Sequence, residues 1–202
     1  MNAFDSRVKM KVLELARRRK TVRKFERTEV RLETVLKIIE AARQAPSGAN
    51  RQPWRFLVVR DPSVKRRIRE AAEEGEREFY KRVQGELKEW LRERGFSPDK
   101  PFLEEAPILI LVFSDVRSPY HTQSTWLAIG FMLLAIEEAG LGTVTYTPSN
   151  PELVSRVVDS PDGLKLEAIL PIGLPADDKP KERRRSLREI CFLDSWETPC
   201  PE

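Results

Sequence analysis

An α+β or α/β sandwich in a single domain is the fold class this chain predicts, and three observations carry it. Helical periodicities alternate with short apolar runs of strand length instead of segregating into blocks. The run Ile108 to Phe113 is apolar at every position, as expected of a strand covered on both faces. No Gly/Ser-rich linker or compositional break divides the 202 residues, a length that sustains one sizeable core.

In chain order, Asp5 and Ser6 can cap a first helix with Val8, Val12, Leu13 and Leu15 near helical spacing, ending in the basic run before Thr21. A second helix is expected from about Arg31 to Gln44, with Leu32, Val35, Leu36, Ile39 and Ala42 on one face and Pro46 and Gly48 stopping it. Trp54 to Arg60 reads as a compact strand. Asp61-Pro62 opens a long charged helix to about Val83, whose thin apolar content predicts a mobile cover, so that residues 62–105 are expected to form a lid.

Ile108 to Phe113, bounded by Pro107 and by Ser114-Asp115, is assigned to the central sheet. From Thr122 to Ala139, Trp126, Leu127, Ile129, Gly130, Leu133, Leu134 and Ile136 nearly encircle a helix, the pattern of one buried on most sides. Val144 to Tyr146 and Ala168 to Gly173 supply further strands, Pro151 to Val158 a short helix, and a charged tail centred on Arg183 to Arg185 ends the chain.

Thirty-six basic and 32 acidic side chains leave a net charge of +4, so the surface is mixed in sign. Acids lie close to the clusters Lys65-Arg66-Arg67 and Arg183-Arg184-Arg185, and no aromatic platform interleaves with any basic run; nucleic acid is not an expected partner. The longest apolar stretches, Ala106 to Phe113 and Thr125 to Ile136, fall short of the roughly 20 residues that cross a bilayer. A soluble, cytoplasmic protein without a membrane partner is expected. Cys191 and Cys200 match no zinc or redox spacing and leave a disulfide open, and no metal is expected. Gly140-Leu141-Gly142 leads into a strand and lacks a third glycine, so it is no dinucleotide fingerprint. His121, the one histidine, starts the long apolar helix and is given no catalytic role.

Two segments concentrate chemistry. R-K-T-V-R, Arg19 to Arg23, offers two guanidinium forks for one phosphate, with the Thr21 hydroxyl as a further donor and Lys20 between them. A solvated basic stretch is the plain alternative. A-P-S-G-A-N-R-Q-P-W, Ala45 to Trp54, places Pro46, Ser47 and Gly48 in a turn whose backbone N–H groups can approach a ring edge while Asn50 or Gln52 reads its carbonyls and ring nitrogens. Glu76 and Tyr80 are four apart on one helix face, and Lys100 follows in a Pro-flanked loop. A carboxylate, a phenol and an ammonium can hold an amino-acid zwitterion; unaided, a solvated glutamate run and a packed tyrosine explain them as well.

These segments, together with E-E-G-E-R-E-F-Y-K-R, A-P-I-L-I-L-V-F, A-G-L-G-T-V-T-Y-T-P-S-N and L-P-I-G-L-P in that order, resemble the FMN-dependent nitroreductase superfamily over nearly the whole chain. Within it the resemblance is to the iodotyrosine deiodinases. It implies a mostly antiparallel central sheet flanked by helices, and an intertwined homodimer with each flavin at the interface. FMN would be held by Arg19, Lys20, Thr21, Arg23, Pro46, Ser47, Gly48, Asn50, Thr145, Tyr146, Thr147 and, from the tail run, Arg184. The Thr147 hydroxyl would meet flavin N5 and favour one-electron steps, the backbone N–H of Ala49 would meet a substrate phenolate, and Glu76, Tyr80 and Lys100 would clamp the zwitterion. The implied activity is reductive dehalogenation of halotyrosines or related phenols, fed by an unidentified reductant or reductase. An NAD(P)H-dependent nitro or quinone reductase, and a non-catalytic flavin-binding dimer, are the alternatives. The animal deiodinases carry an N-terminal membrane anchor that no segment here matches.

Overall fold

A computed structural model describes residues 10–201. The cap expected at Asp5 and Ser6 lies outside the described residues; the first helix described is α1, Lys11–Arg18, with no buried residue. The core is built on three antiparallel strands, β1 (Trp54–Val59), β2 (Ile108–Asp115) and β3 (Leu164–Ile172), with β2 central. Every residue of β2 up to Ser114 is buried because helices cover both faces of the sheet. On one face Ile108, Ile110 and Val112 pack with α2 (Leu32–Ala42) and α6 (His121–Glu138). On the other, Leu109, Leu111 and Phe113 pack with α3 (Pro62–Arg82), α5 (Phe102–Glu105) and α7 (Pro151–Val157).

Val144 to Tyr146 does not form the regular strand expected. Gly142 bridges Gly173 and Tyr146 bridges Ile169 singly, while Thr21 bridges Thr143 in parallel, so this edge is a set of isolated bridges. Close approach explains the glycine: a Cβ on Gly142 would sit 2.8 Å from the Val22 side chain. β3 starts at Leu164, four residues before the expected strand. Its register against β2 slips between Val112, opposite Ala168, and Phe113, opposite Leu166, so Glu167 is an inserted residue turned off the regular alternation.

Asp61 caps α3 by accepting from the N–H groups of Ser63 and Val64, with Pro62 in the first turn, as the sequence suggests. The helix is not a mobile cover throughout, because Ile68 and Ala72 are fully buried in the second core. The thin apolar stripe suffices because Lys65 is also buried, its ammonium capping the carbonyls of Glu104 at 3.1 Å and Ala106 at 2.6 Å. What covers the site is the later segment with α4 (Gly85–Glu93), where Trp90 stacks on Phe96 and nothing is buried. α4 and α5 carry no periodicity long enough to have been expected.

α6 is not enclosed as its composition implied: Trp126, Leu127 and Phe131 are exposed. α2 buries Val35, Ile38 and Ala42 and leaves Leu32 and Leu36 outside, so this packed helix pair presents an apolar outer face. In the tail, α8 (Leu187–Ile190) has a capping box between Ser186 and Glu189, and Cys191 and Cys200 are joined as a disulfide closing a short hairpin. No helix among the described residues is long and apolar enough to cross a membrane.

Candidate active site

A cavity of about 560 Å³ opens between α3, the α4 segment and the bridged edge of the sheet. Glu76, Tyr80, Lys100, Thr145, Tyr146 and Thr147 all line it, joined by Arg23 at one end and by Trp90 and Phe96 at the cover. Residues widely separated in sequence therefore share one wall.

Glu76 is buried at the centre. Its Oε1 accepts from the Tyr146 hydroxyl at 2.8 Å, the Ser149 hydroxyl at 3.0 Å and the Ser149 N–H at 3.2 Å. Among the described residues its Oε2 faces only the Lys100 ammonium, 3.6 Å away and beyond a good hydrogen bond. Burial pushes the Lys100 ammonium below its ordinary value, against the upward pull of Glu76. Burial and the same carboxylate push the phenols of Tyr80 and Tyr146 up, keeping both neutral.

Glu73 acts one turn earlier and was not singled out in the sequence. Its carboxylate accepts from Arg69 at 2.7 Å and from the backbone N–H of Lys100 at 2.8 Å, fixing the loop that delivers Lys100. Burial pushes its carboxyl up, but the Arg69 and Lys100 bonds outweigh this and hold it below the ordinary value. An Arg–Glu pair at i, i+4 was the available signal, hidden in a run of acids that read as solvated.

Arg19 lies at the end of α1 with its Nε buried and unpartnered among the described residues. Burial first, then the charge of Arg184, lowers its pKa from the ordinary value, with Glu137 opposing. Arg19 thus feels the charge of Arg184, only partly offset by Glu137. Arg23 instead rests over the Phe96 ring at 5.5 Å. Lys20, expected among the phosphate contacts, donates its ammonium to the backbone carbonyls of Asp177 and Lys179. Thr21 is tied by its bridge to Thr143.

Pro46, Ser47, Gly48, Ala49 and Asn50 lie elsewhere. None of them lines the cavity. Their turn sits on the start of α6, with the Gly48 N–H donating to Ser124 Oγ at 3.2 Å and a would-be Gly48 Cβ 2.8 Å from Tyr120. Ala49, Asn50 and Gln52 all adopt positive φ, near +50°. Three non-glycine residues in the left-handed region within four positions cost of order 1 kcal/mol or more each, strain of a kind that collects at ligand clamps.

Below that turn lies Glu167, also missed. The bulge buries its carboxylate, which accepts from Ser114 Oγ at 2.7 Å, Thr122 Oγ1 at 2.9 Å and Trp126 Nε1 at 3.1 Å, with Lys165 Nζ at 3.3 Å. Burial pushes its pKa up, but these four groups prevail and hold it below the ordinary value. His121 joins through its Nδ1, 2.8 Å from Ser114 Oγ.

Helices on both faces of an antiparallel sheet, with a cationic recess beside an amphipathic cavity, define a class. The chain belongs to the nitroreductase family, whose model matches residues 16–174. Within that family it is similar to the iodotyrosine deiodinase of Thermotoga neapolitana, 50% identical across 88% of this chain and 96% of the relative. The iodotyrosine deiodinase of Haliscomenobacter hydrossis is 42% identical over 79% of this chain and 77% of its own. Among solved structures, an oxidised iodotyrosine deiodinase bound to FMN and 3-iodo-L-tyrosine superimposes with a TM-score of 0.84 at 50% identity, covering 87% of this chain and 95% of that one.

Proposed function

We propose that this chain is an FMN-dependent reductive dehalogenase of halotyrosines. The observation that carries the reading is the Glu76, Tyr80 and Lys100 constellation on one cavity wall with Thr147. The recess fits the cofactor: Arg19 Nε is buried without a partner and Arg184 stands against it, an arrangement a phosphate dianion would relieve.

The zwitterion is met by complementary groups. Oε1 of Glu76 is saturated by Tyr146 and Ser149, which fix the carboxylate, while Oε2 keeps lone pairs open for a substrate ammonium. Lys100 and the Tyr80 hydroxyl then face the substrate carboxylate. The α4 segment, held over the cavity by the stacked Trp90 and Phe96, closes on the pair and excludes water, which strengthens these contacts. When bound, FMN supplies two electrons, which with one proton convert the carbon–halogen bond to carbon–hydrogen and free halide. Thr147, exposed on the wall, offers a hydroxyl that can donate or accept at flavin N5.

The turn Pro46 to Asn50 would reach the flavin from a second copy of the chain. Two observations support a dimer: the turn is remote from the cavity of its own chain, and Trp126, Leu127, Phe131 and Leu36 form an exposed apolar face beside it. Ala49 would then present its N–H to the substrate phenolate, its small side chain leaving room for a ring.

The test is iodide release from 3-iodo-L-tyrosine by the FMN-loaded protein with dithionite as reductant. Stoichiometric iodide and tyrosine are expected; a loaded, reducible flavin that releases no halide rejects the proposal.

A further inference from the structure

Two lysines are exchanged between the N-terminal phosphate motif and the tail. Lys20 sends its ammonium outward to the backbone carbonyls of Asp177 at 2.6 Å and Lys179 at 2.9 Å. Lys181, within that same tail segment, returns its ammonium to the carbonyls of Ala16 and, at 3.1 Å, Arg17. Those carbonyls belong to the last turn of α1, where the helix has no amide left to bond them and where a cation also meets the negative end of the dipole. Four charge-assisted bonds thus tie residues 16–20 to residues 177–181 in both directions.

The tie has an electrostatic consequence. Arg19 lies within the first stitched segment and Arg184 three residues beyond Lys181; after burial, the charge of Arg184 lowers the pKa of Arg19, and Glu137 opposes it. Lys181 feels burial first and then Arg184 and Arg19, all of which lower its pKa. Glu137 offsets part of this in both cases, and like charges so crowded separate unless something holds them. Backbone contacts join the two stretches further on, where the Ala176 N–H donates to Lys24 O at 2.9 Å, and the lysine-to-carbonyl bonds extend the tie to residues 16–20 and 177–181.

We propose that Lys20 and Lys181 are positioning residues: they pin the tail to α1 and so preset Arg19 and Arg184 as a fork for a phosphate monoester, without touching the phosphate themselves. This rests on the flavin reading above and replaces the expectation that Lys20 is a phosphate ligand.

Riboflavin and FMN share ring and ribityl chain and differ by the phosphate, which makes the pair a probe of this fork alone. The full-length chain, freed of flavin, is titrated with each by flavin fluorescence. In Lys20→Met and in Lys181→Met, FMN affinity is expected to fall about tenfold, the scale of losing a hydrogen bond to a charged group, with riboflavin affinity unchanged. In an Arg184→Met background the Lys20→Met change should cost nothing further, because the residue it positions is gone. Parallel losses for both flavins, an undiminished FMN affinity, or additivity with Arg184→Met each overturn the proposal. A wild-type chain that binds neither flavin overturns the underlying cofactor reading, and is told apart by that control.

Discussion

Replacing Glu76 by glutamine keeps the side chain's shape and removes its charge. The new Oε1 can still accept from Tyr146 and Ser149, whose donors lie 2.8 to 3.2 Å away, but as a neutral acceptor it forms weaker bonds. The new amide puts N–H groups where Oε2 had faced the Lys100 ammonium, so a donor meets a donor. The weakened bonds and the unpaired ammonium together cost about 2 kcal/mol of stability. For a chain of this size that is a fall in Tm of roughly 4–8 °C. Lys100 supplies a further signature. Burial already lowers its pKa, and the upward pull of Glu76 is removed, so the folded variant binds its proton less well than the unfolded chain does. Stability therefore rises with pH in this range, and the variant's deficit should shrink as pH climbs toward the ordinary lysine value of 10.5. On the functional side, the Kd for 3-iodo-L-tyrosine, read by quenching of flavin fluorescence, should rise about 30-fold, while that for 2-iodophenol, which has no zwitterion, should hold. Equal losses for the two ligands, or none for either, would refute the clamp.

Gly142→Ala should cost about 1–3 kcal/mol, because its Cβ would meet three Val22 atoms at 2.8 to 3.0 Å; thermal melts check this, and Val22→Ala in the same chain should restore most of the loss. Glu167→Gln should flatten the acid limb of the stability curve. The Glu167 carboxyl is held below its ordinary value of 4.5, so its contribution is present above that pH and is lost as pH falls through the folded value; urea melts across that range would show an unchanged limb if the reasoning is wrong. Phe131→Arg, on the exposed face of α6, should give a monomer by sedimentation that no longer retains FMN; a monomer that keeps its flavin would place the whole site within one chain.

The periodic elements were legible, and for a clear reason. β2 is apolar throughout because both its faces are covered, and α3 announces its start with Asp61 and Pro62. The residues proposed as a clamp were singled out through the family resemblance more than through their chemistry, since Glu76 sits in a run of acids that composition alone reads as solvated. Glu73 and Glu167 were not legible. Glu73 acts on Lys100 through a backbone N–H 27 residues away, and Glu167 is inward-facing because the sheet slips register at that point. α6 was read as enclosed because a single-chain pattern cannot distinguish a face that meets its own core from one left for a partner.

By itself the sequence determined the longer helices and the strands β1 and β2, since 3.6- and 2-residue periods are local properties, and it determined the kind of chemistry available at Arg19, Glu76 and Lys100. Only the tertiary structure decided which of these meet. Lys20 meets backbone carbonyls 157 and 159 residues away, and the turn at Gly48 stands apart from the cavity because it packs on α6. Such pairings depend on loop closure and layer packing across the whole chain, and no short window of residues encodes them.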